Sequence, residues 1–261
     1  MKNDRTYLIF SILGGLVLLF IIAPLLSIFL STSFKDVSDT IKDSEVTESI
    51  WLTIFISMVG TILFALGSIP LAYLISRKQF FLKRFFIAVI NLPIVIPHSA
   101  AGIALLSVLS RNTLAGKFAG QLGFEFVSSP AGIMLAMSFV SIPYLITSAI
   151  DGFNAVPVKL ERAAMNLGAS PWRAFFTIAL PLAWRPILSG LILMWARGMS
   201  EFGAVIIIAY HPITTPVLIW ERFNTFGLQY AKPVSLLFIC ICLAFFIVFR
   251  LLTKRNTDAR G

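Results

Sequence analysis

The segment ERAAMNLGASPWRAFFTIALP, residues 161–181, lies between long hydrophobic runs and contains two helical patterns separated by a turn. Residues at helical spacing define one face of the first pattern: Leu160, Ala163, Ala164 and Leu167. Gly168 follows the last periodic residue, where a helix end favours the left-handed conformation. Ser170 and Pro171 suit an N-cap and a first helical position. The segment therefore predicts two helices joined at an angle by a glycine turn, and we call this feature the elbow.

Long apolar runs make up most of the remaining chain. Hydrophobic residues account for 58% of the sequence and charged residues for 13%, unlike a typical soluble domain. Runs of about 20 apolar residues are long enough to cross a bilayer as helices. The sequence predicts an all-α membrane protein, a single domain over residues 1–261 with little room for a separate soluble one. Its six predicted transmembrane helices are about 7–34, 50–76, 85–110, 126–150, 187–210 and 233–249, with the elbow region at about 151–185.

The distribution of lysine and arginine predicts the orientation of the chain. With six spans, 14 of the 21 basic residues lie on the side that holds the elbow and both termini, and six lie on the other side. Because basic loops stay in the cytoplasm, we expect a multi-pass protein of the cell membrane with both termini cytoplasmic. The net charge of +9 follows from this bias and from attraction to anionic membrane lipid, so nucleic-acid binding is not needed to explain it. The basic tail, residues 250–261, is predicted to be a solvated cytoplasmic end.

The elbow sequence resembles the coupling loop of ABC-type import permeases. The resemblance rests on the pattern E-x-A-A-x-x-L-G-A-S followed by F-x-x-I-x-L-P, with Leu180 twelve residues after Gly168. It departs from the commonest form, because Arg162 stands where a glutamate usually does and Glu161 lies one residue earlier. A solvated amphipathic hairpin is the alternative interpretation. The resemblance implies these ATPase-coupling residues: Glu161, Arg162, Ala163, Ala164, Leu167, Gly168, Ala169, Ser170, Leu180 and Pro181.

A second informative stretch, WARGMSEFGA at residues 195–204, places charges inside a predicted span. An arginine at the bilayer centre costs about 2.5–3.5 kcal/mol on insertion scales, so Arg197 should face a partner or a water-filled route. Glu201 lies one helical turn further and could pair with it. The run R-x-x-x-E-F-G-A resembles a signature of sulfate, molybdate and tungstate permeases. Two roles remain open for Arg197: a structural pair near the subunit interface, or a lining residue on the route of a dianion.

The third span contains NLPIVIPHSAAGIALL, residues 91–106, which resembles the corresponding segment of oxyanion permeases. Pro93 and Pro97 predict a kinked helix. His98 beside the kink could be a ligand or gate residue, or a histidine paired with a neighbouring carbonyl. Together with the fifth span, this segment supplies the candidate residues of the translocation pathway or interface: His98, Ser99, Arg197, Ser200 and Glu201.

The resemblances imply a type I ABC importer permease of the molybdate/tungstate family, a sulfate-like oxyanion family. Such a subunit would pair with a second copy of itself, two cytoplasmic ATP-binding subunits and an extracytoplasmic oxyanion-binding protein. The sequence has no G-x-x-x-x-G-K-[ST] phosphate loop and no H-E-x-x-H motif. We therefore expect no enzyme activity, no catalytic or metal site and no cofactor in this chain, with ATP and magnesium bound by the partner ATPase.

Three alternatives remain open at this stage. A sulfate or other anion permease of the same family would share the signature in the fifth span. An ion-coupled secondary carrier would need an intramembrane carboxylate, for which Glu201 is the only buried candidate. An intramembrane enzyme would need a nucleophile with a plausible base, and the sequence suggests none. Substrate preference, gate residues and feedback inhibition by substrate do not follow from the residues.

Overall fold

The computed structural model describes residues 2–254. Within this range the secondary structure is helical, with one π-helical turn, and no strand occurs. The helices are α1 (Lys2–Ser31), α2 (Phe34–Lys42), α3 (Ser44–Arg77), α4 (Lys83–Val95), α5 (His98–Leu109), α6 (Leu114–Gln121), α7 (Pro130–Ala155), α8 (Val158–Asn166), α9 (Pro171–Ala174), α10 (Leu180–Met199), α11 (Gly203–Ile208), α12 (Thr215–Phe226) and α13 (Leu228–Lys254). The predicted basic tail begins within α13, and its residues 255–261 lie outside the described residues.

Among residues 2–254, five helical segments are long and apolar enough to cross a membrane. They are Thr6–Ser31, Ser44–Arg77, Pro130–Ala155, Pro171–Met199 and Leu228–Phe249. The pair α4 and α5 is apolar enough to form a sixth span, but the two helices meet at an angle of 113°. The predicted kink is therefore a sharp break. It falls at Ile96 and Pro97, because Pro97 cannot donate the backbone hydrogen bond that would continue α4.

The segment Pro171–Met199 begins and ends earlier than the predicted fifth span, 187–210. A π-helical turn, Phe175–Ala179, joins α9 to α10 and makes Pro171–Met199 one helical segment. In this turn the Leu180 N–H bonds to the Phe175 carbonyl five residues back, so the helix passes Pro181 without ending. The C-terminal part of the predicted elbow region thus belongs to this helical segment. The helix stops at Met199, and the short α11 follows.

The chain groups into two compact units. The larger unit, Ser49–Leu218, holds the elbow and the charged residues of the fifth span. Its most enclosed helix is α7, which packs closely on α10. Gly190 permits this approach, because a Cβ added there would lie 2.8 Å from the Ser148 Cβ. The second unit contains the described residues up to Glu48 and those from Ile219 onward.

Ion pairs connect two parts of the second unit. Arg222 on α12 contacts the carboxylates of Asp43 and Glu45 at 2.7 and 2.8 Å. Burial opposes ionisation of Asp43, but the hydrogen bond and charge of Arg222 outweigh it and lower the pKa of Asp43 below its usual value. Burial acts to lower the pKa of Arg222, but the hydrogen bonds and charges of the two carboxylates together outweigh it and raise that pKa. These pairs connect the start of α3 to α12.

The segments between the long apolar helices also contain regular structure. The acidic segment 35–48 contains most of the short helix α2 and the start of α3. The segment 211–230 contains α12. Cys240 and Cys242 are free thiols, consistent with their positions two residues apart on one helix.

Candidate functional site

The elbow forms as its sequence predicts. Helix α8 ends at Asn166 with Leu167 as its C-cap, and Gly168 follows with φ of +92°, a conformation that L side chains rarely adopt. The Ser170 hydroxyl then accepts a hydrogen bond from the Arg173 N–H at 3.2 Å, and Pro171 is the first residue of α9. A C-terminal glycine turn and an N-terminal serine cap therefore fix the angle between the two helices.

Most of the predicted coupling residues form an exposed surface. Leu167 is 90% exposed and the neighbouring Trp172 is 73% exposed, so the tip of the elbow presents large apolar side chains. The remaining predicted residues with exposed or half-buried positions are Arg162, Ala163, Ala164, Gly168, Ala169, Ser170, Leu180 and Pro181. An apolar tip of this kind suits a protein contact.

Glu161 differs from the other predicted coupling residues because it is buried, with 3% of its surface exposed. Its carboxylate accepts hydrogen bonds from Arg77 at 2.9 Å (Nε) and 2.5 Å (Nη2). The Tyr73 hydroxyl donates to its other oxygen at 2.6 Å. The side chain therefore points into the protein and attaches α8 to the last turn of α3.

Arg77 connects a third helix to the same place. Its Nη1 donates to the Phe153 carbonyl at 2.8 Å and its Nη2 to the Val156 carbonyl at 3.2 Å, both at the C-terminal end of α7. The Phe153 carbonyl also accepts the Val156 N–H at 3.1 Å. The last carbonyls of a helix lack their i+4 partners, and a guanidinium group can satisfy them. We call Tyr73, Arg77 and Glu161 the joint. Removing one member of such a buried pair typically costs about 3–5 kcal/mol, because the other charge is left uncompensated.

Aromatic side chains surround the joint. The Tyr73 ring packs edge-on against Phe153 at 5.3 Å and against Phe175 at 4.8 Å between ring centroids. Phe175 begins the π-helical turn that leads into α10. Sequence reasoning missed Tyr73 and Arg77, since the only visible signal was a basic residue ending an apolar run, with its partner 84 residues away.

A second cluster of charged side chains lies at two helix breaks, one between α4 and α5 and the other between α10 and α11. Glu201, which is fully buried, follows the end of α10 and pairs with Arg197 at 2.8 Å. Its other oxygen accepts the Ala204 N–H at 2.9 Å, which helps to start α11. The predicted pair of Arg197 and Glu201 therefore forms. Helix α10 ends at Met199, two residues before Glu201.

His98 joins this cluster from the first residue of α5. Its Nδ1 lies 3.0 Å from the Glu201 carboxylate, and the Arg197 Nη2 lies 2.9 Å from the ring nitrogens. The partners of the His98 ring are therefore two charged side chains and not the backbone carbonyl considered from the sequence. Gly203 allows the approach, because a Cβ there would lie 2.8 Å from the His98 Cβ.

The two serines near this cluster are exposed. Ser200 accepts a hydrogen bond from the Arg197 Nη1 at 3.3 Å, whereas Ser99 is exposed beside His98. The structure therefore brings together His98, Arg197, Ser200 and Glu201. The guanidinium and carboxylate charges largely compensate each other, and 21% of the Arg197 side chain is exposed. This arrangement is typical of a structural pair more than of an open anion site.

Comparison with known proteins identifies the family. Residues 68–258 match the model of the family described as binding-protein-dependent transport system inner membrane component. This chain belongs to that family. The match covers the elbow, the joint and the cluster around Glu201.

Relatives of similar length support this assignment. The chain is 39% identical to a molybdate/tungstate transport system permease protein of Thermococcus kodakarensis, with 98% of this chain and 99% of the relative covered. It is 41% identical to a protein of the same description from Pyrococcus furiosus, with 99% of each covered. The resemblance to this group of permeases, inferred from the motifs, is confirmed.

A solved structure supports the fold. A bacterial ABC transporter involved in the import of the acidic polysaccharide alginate superposes with a TM-score of 0.75, covering 97% of each chain at 15% identity. The predicted fold class, an all-α membrane protein with the type I ABC importer permease fold, is confirmed. The chain is a multi-span membrane permease of a binding-protein-dependent system.

Charge compensation at Glu201 predicts a specific stability pattern. Arg197→Met should destabilise the protein by about 3–5 kcal/mol at most, because Glu201 keeps only His98 and the Ala204 N–H as partners. The double variant with Glu201→Gln should be more stable than Arg197→Met alone, since the buried charge is gone. Thermal unfolding in detergent measures both. A double variant less stable than the single one would contradict the interpretation.

Proposed function

We propose that this chain is the membrane-spanning permease subunit of an ABC importer that moves molybdate or tungstate inward. The observation that carries the proposal is the 39–41% identity, over nearly the whole chain, to permeases described as molybdate/tungstate transporters. A sulfate permease is the weaker candidate, because a relative described as a probable sulfate permease is 25% identical.

The energy would come from separate ATPase subunits that bind at the elbow. The sequence has no phosphate loop, so ATP and magnesium would be held by those subunits. The exposed Leu167 and Trp172 provide apolar side chains for a protein contact, and tryptophan is among the residue types that carry most of the binding energy at interfaces. Each chain has one elbow, so two copies of the chain would engage two ATPases. This arrangement also requires the elbow and both termini to be cytoplasmic, as the basic residues favour.

The substrate would travel between the two copies after release from an extracytoplasmic oxyanion-binding protein. Nucleotide-driven approach of the ATPases would bring the elbows together and open the route outward, and hydrolysis would reopen it inward. The pairing of Arg197 with Glu201 favours a structural role for this arginine, because a compensated guanidinium does not trap a dianion. Ser99, which is exposed beside the broken third span, remains a candidate lining residue.

The geometry argues against an ion-coupled carrier. Such a carrier needs a carboxylate that binds and releases a coupling ion during transport. Glu201 is fully buried, and Arg197, His98 and the Ala204 N–H contact its two oxygens. A carboxylate held by these groups is poorly suited to bind and release a coupling ion in every transport cycle.

Competition in reconstituted vesicles tests the substrate. The complex with ATPases and binding protein should take up labelled molybdate when ATP is present on the ATPase side. Unlabelled tungstate should compete strongly and sulfate weakly, because the full-length relatives are described as molybdate/tungstate permeases. Uptake blocked equally by sulfate, or driven by an ion gradient without ATP, would contradict the proposal.

The conformation of Gly168 predicts that a substitution there impairs coupling of ATP hydrolysis to transport. A second glycine with positive φ, outside the elbow, controls for the effect of backbone strain alone. Gly168→Ala should lower transport per ATP hydrolysed, because alanine strains a φ of +92° and shifts the elbow angle, although there is space for its Cβ. Gly123→Ala is the matched control, since Gly123 has φ of +82° and open space but lies after α6. Equal effects of the two substitutions on the coupling ratio would argue against the role of the elbow.

A further inference from the structure

The joint of Tyr73, Arg77 and Glu161 connects the elbow to the body of the larger unit. The exposed face of α8 is directed away from the protein, whereas Glu161 is directed inward. Its carboxylate is held on both sides, by Arg77 on one oxygen and Tyr73 on the other. One turn of helix thus carries both an outward contact surface and an inward attachment.

Three helices and the start of a fourth converge on the joint. Arg77 and Tyr73 belong to α3, Glu161 to α8, and the carbonyls of Phe153 and Val156 to the end of α7. The Tyr73 ring packs against Phe175, the first residue of the π-helical turn that leads into α10. Displacement of α8 therefore has to move the end of α3 or break a buried ion pair. Because breaking the pair leaves a charge uncompensated in the interior, moving the helices together is favoured.

We infer that the joint transmits displacement of the elbow to α3 and α7, which makes Tyr73, Arg77 and Glu161 positioning residues of ATP-driven transport. This inference rests on the proposed function, since it concerns how that function uses the elbow. It assigns Glu161 a role inside the permease, in place of the direct contact with an ATPase that its motif suggested. Arg77 acquires a role that its place at the end of an apolar run did not reveal.

Each contact in the joint has a distinct chemical contribution. Glu161→Gln keeps the shape of the side chain but removes its charge. Arg77→Gln removes the charge and the bonds to the carbonyls of α7. Tyr73→Phe removes one hydroxyl and keeps the ring that packs on Phe153 and Phe175, so it tests the hydrogen bond with the least risk to folding.

The experiment compares these variants in the assembled complex with its ATPases and binding protein, reconstituted in vesicles. Labelled molybdate uptake and ATP hydrolysis are measured on the same preparation, and their quotient is the coupling ratio. Glu161→Gln and Arg77→Gln should each lower this ratio by about 2- to 30-fold, the range for substitutions within a coupled network, with Tyr73→Phe at the lower end. The double variant of Arg77 and Glu161 should lower it no further than either single variant, because the pair acts as one unit.

Two substitutions provide matched controls. Lys78→Gln removes a positive charge from the exposed residue next to Arg77, and Tyr144→Phe removes a hydroxyl from a partly buried tyrosine on α7. Both should keep the coupling ratio of the unsubstituted complex. If Lys78→Gln lowers the coupling ratio as much as the joint variants do, the positive charge of this region, and not the joint, determines the ratio.

The outcomes separate this inference from the proposed function. If the unsubstituted complex shows no ATP-driven molybdate uptake, the proposed function fails first. If it transports normally and the joint variants assemble less protein but keep the coupling ratio, the joint is only structural and the inference is overturned. The inference would also be overturned if the fold-losses in coupling ratio of the two single variants multiplied in the double variant, because Arg77 and Glu161 would then act independently.

Discussion

The ion pair between Arg77 and Glu161 is the constraint on which the elbow depends. A carboxylate that is 3% exposed must have compensating charge and hydrogen bonds, and Arg77 and Tyr73 supply them. A helix of nine residues, such as α8, is marginal by itself in water. Its attachment to α3 explains how a short helix can hold a defined position while presenting an apolar tip to a partner.

The same requirement shapes the second cluster. Glu201 is also fully buried, and its two oxygens are satisfied by Arg197, by His98 and by the first turn of α11. The breaks in two apolar segments meet here, since His98 begins α5 and Gly203 begins α11. Irregular backbone inside a membrane protein is tolerated where protein groups satisfy it. Charged side chains thus hold the ends of the interrupted helices together at these two breaks.

Sequence reasoning predicted the parts that depend on neighbouring residues. The turn at Gly168, the cap at Ser170, the break at Pro97 and the pair of Arg197 with Glu201 all follow from local spacing. It could not predict the partner of Glu161 or that of His98, because each lies more than 80 residues away and depends on tertiary packing. The helix that contains much of the predicted fifth span starts earlier than that span, because a π-helical turn carries it past Pro181, and it also stops earlier, at Met199.

Hydrogen exchange of the permease alone tests most directly whether the elbow is fixed to α3. The amides of α8 should exchange slowly in the unsubstituted protein, because the joint protects a helix too short to persist alone. In Glu161→Gln the same amides should exchange faster, while those in the middle of α7 stay protected. Rapid exchange of α8 in the unsubstituted protein, or protection that Glu161→Gln leaves unchanged, would contradict the account.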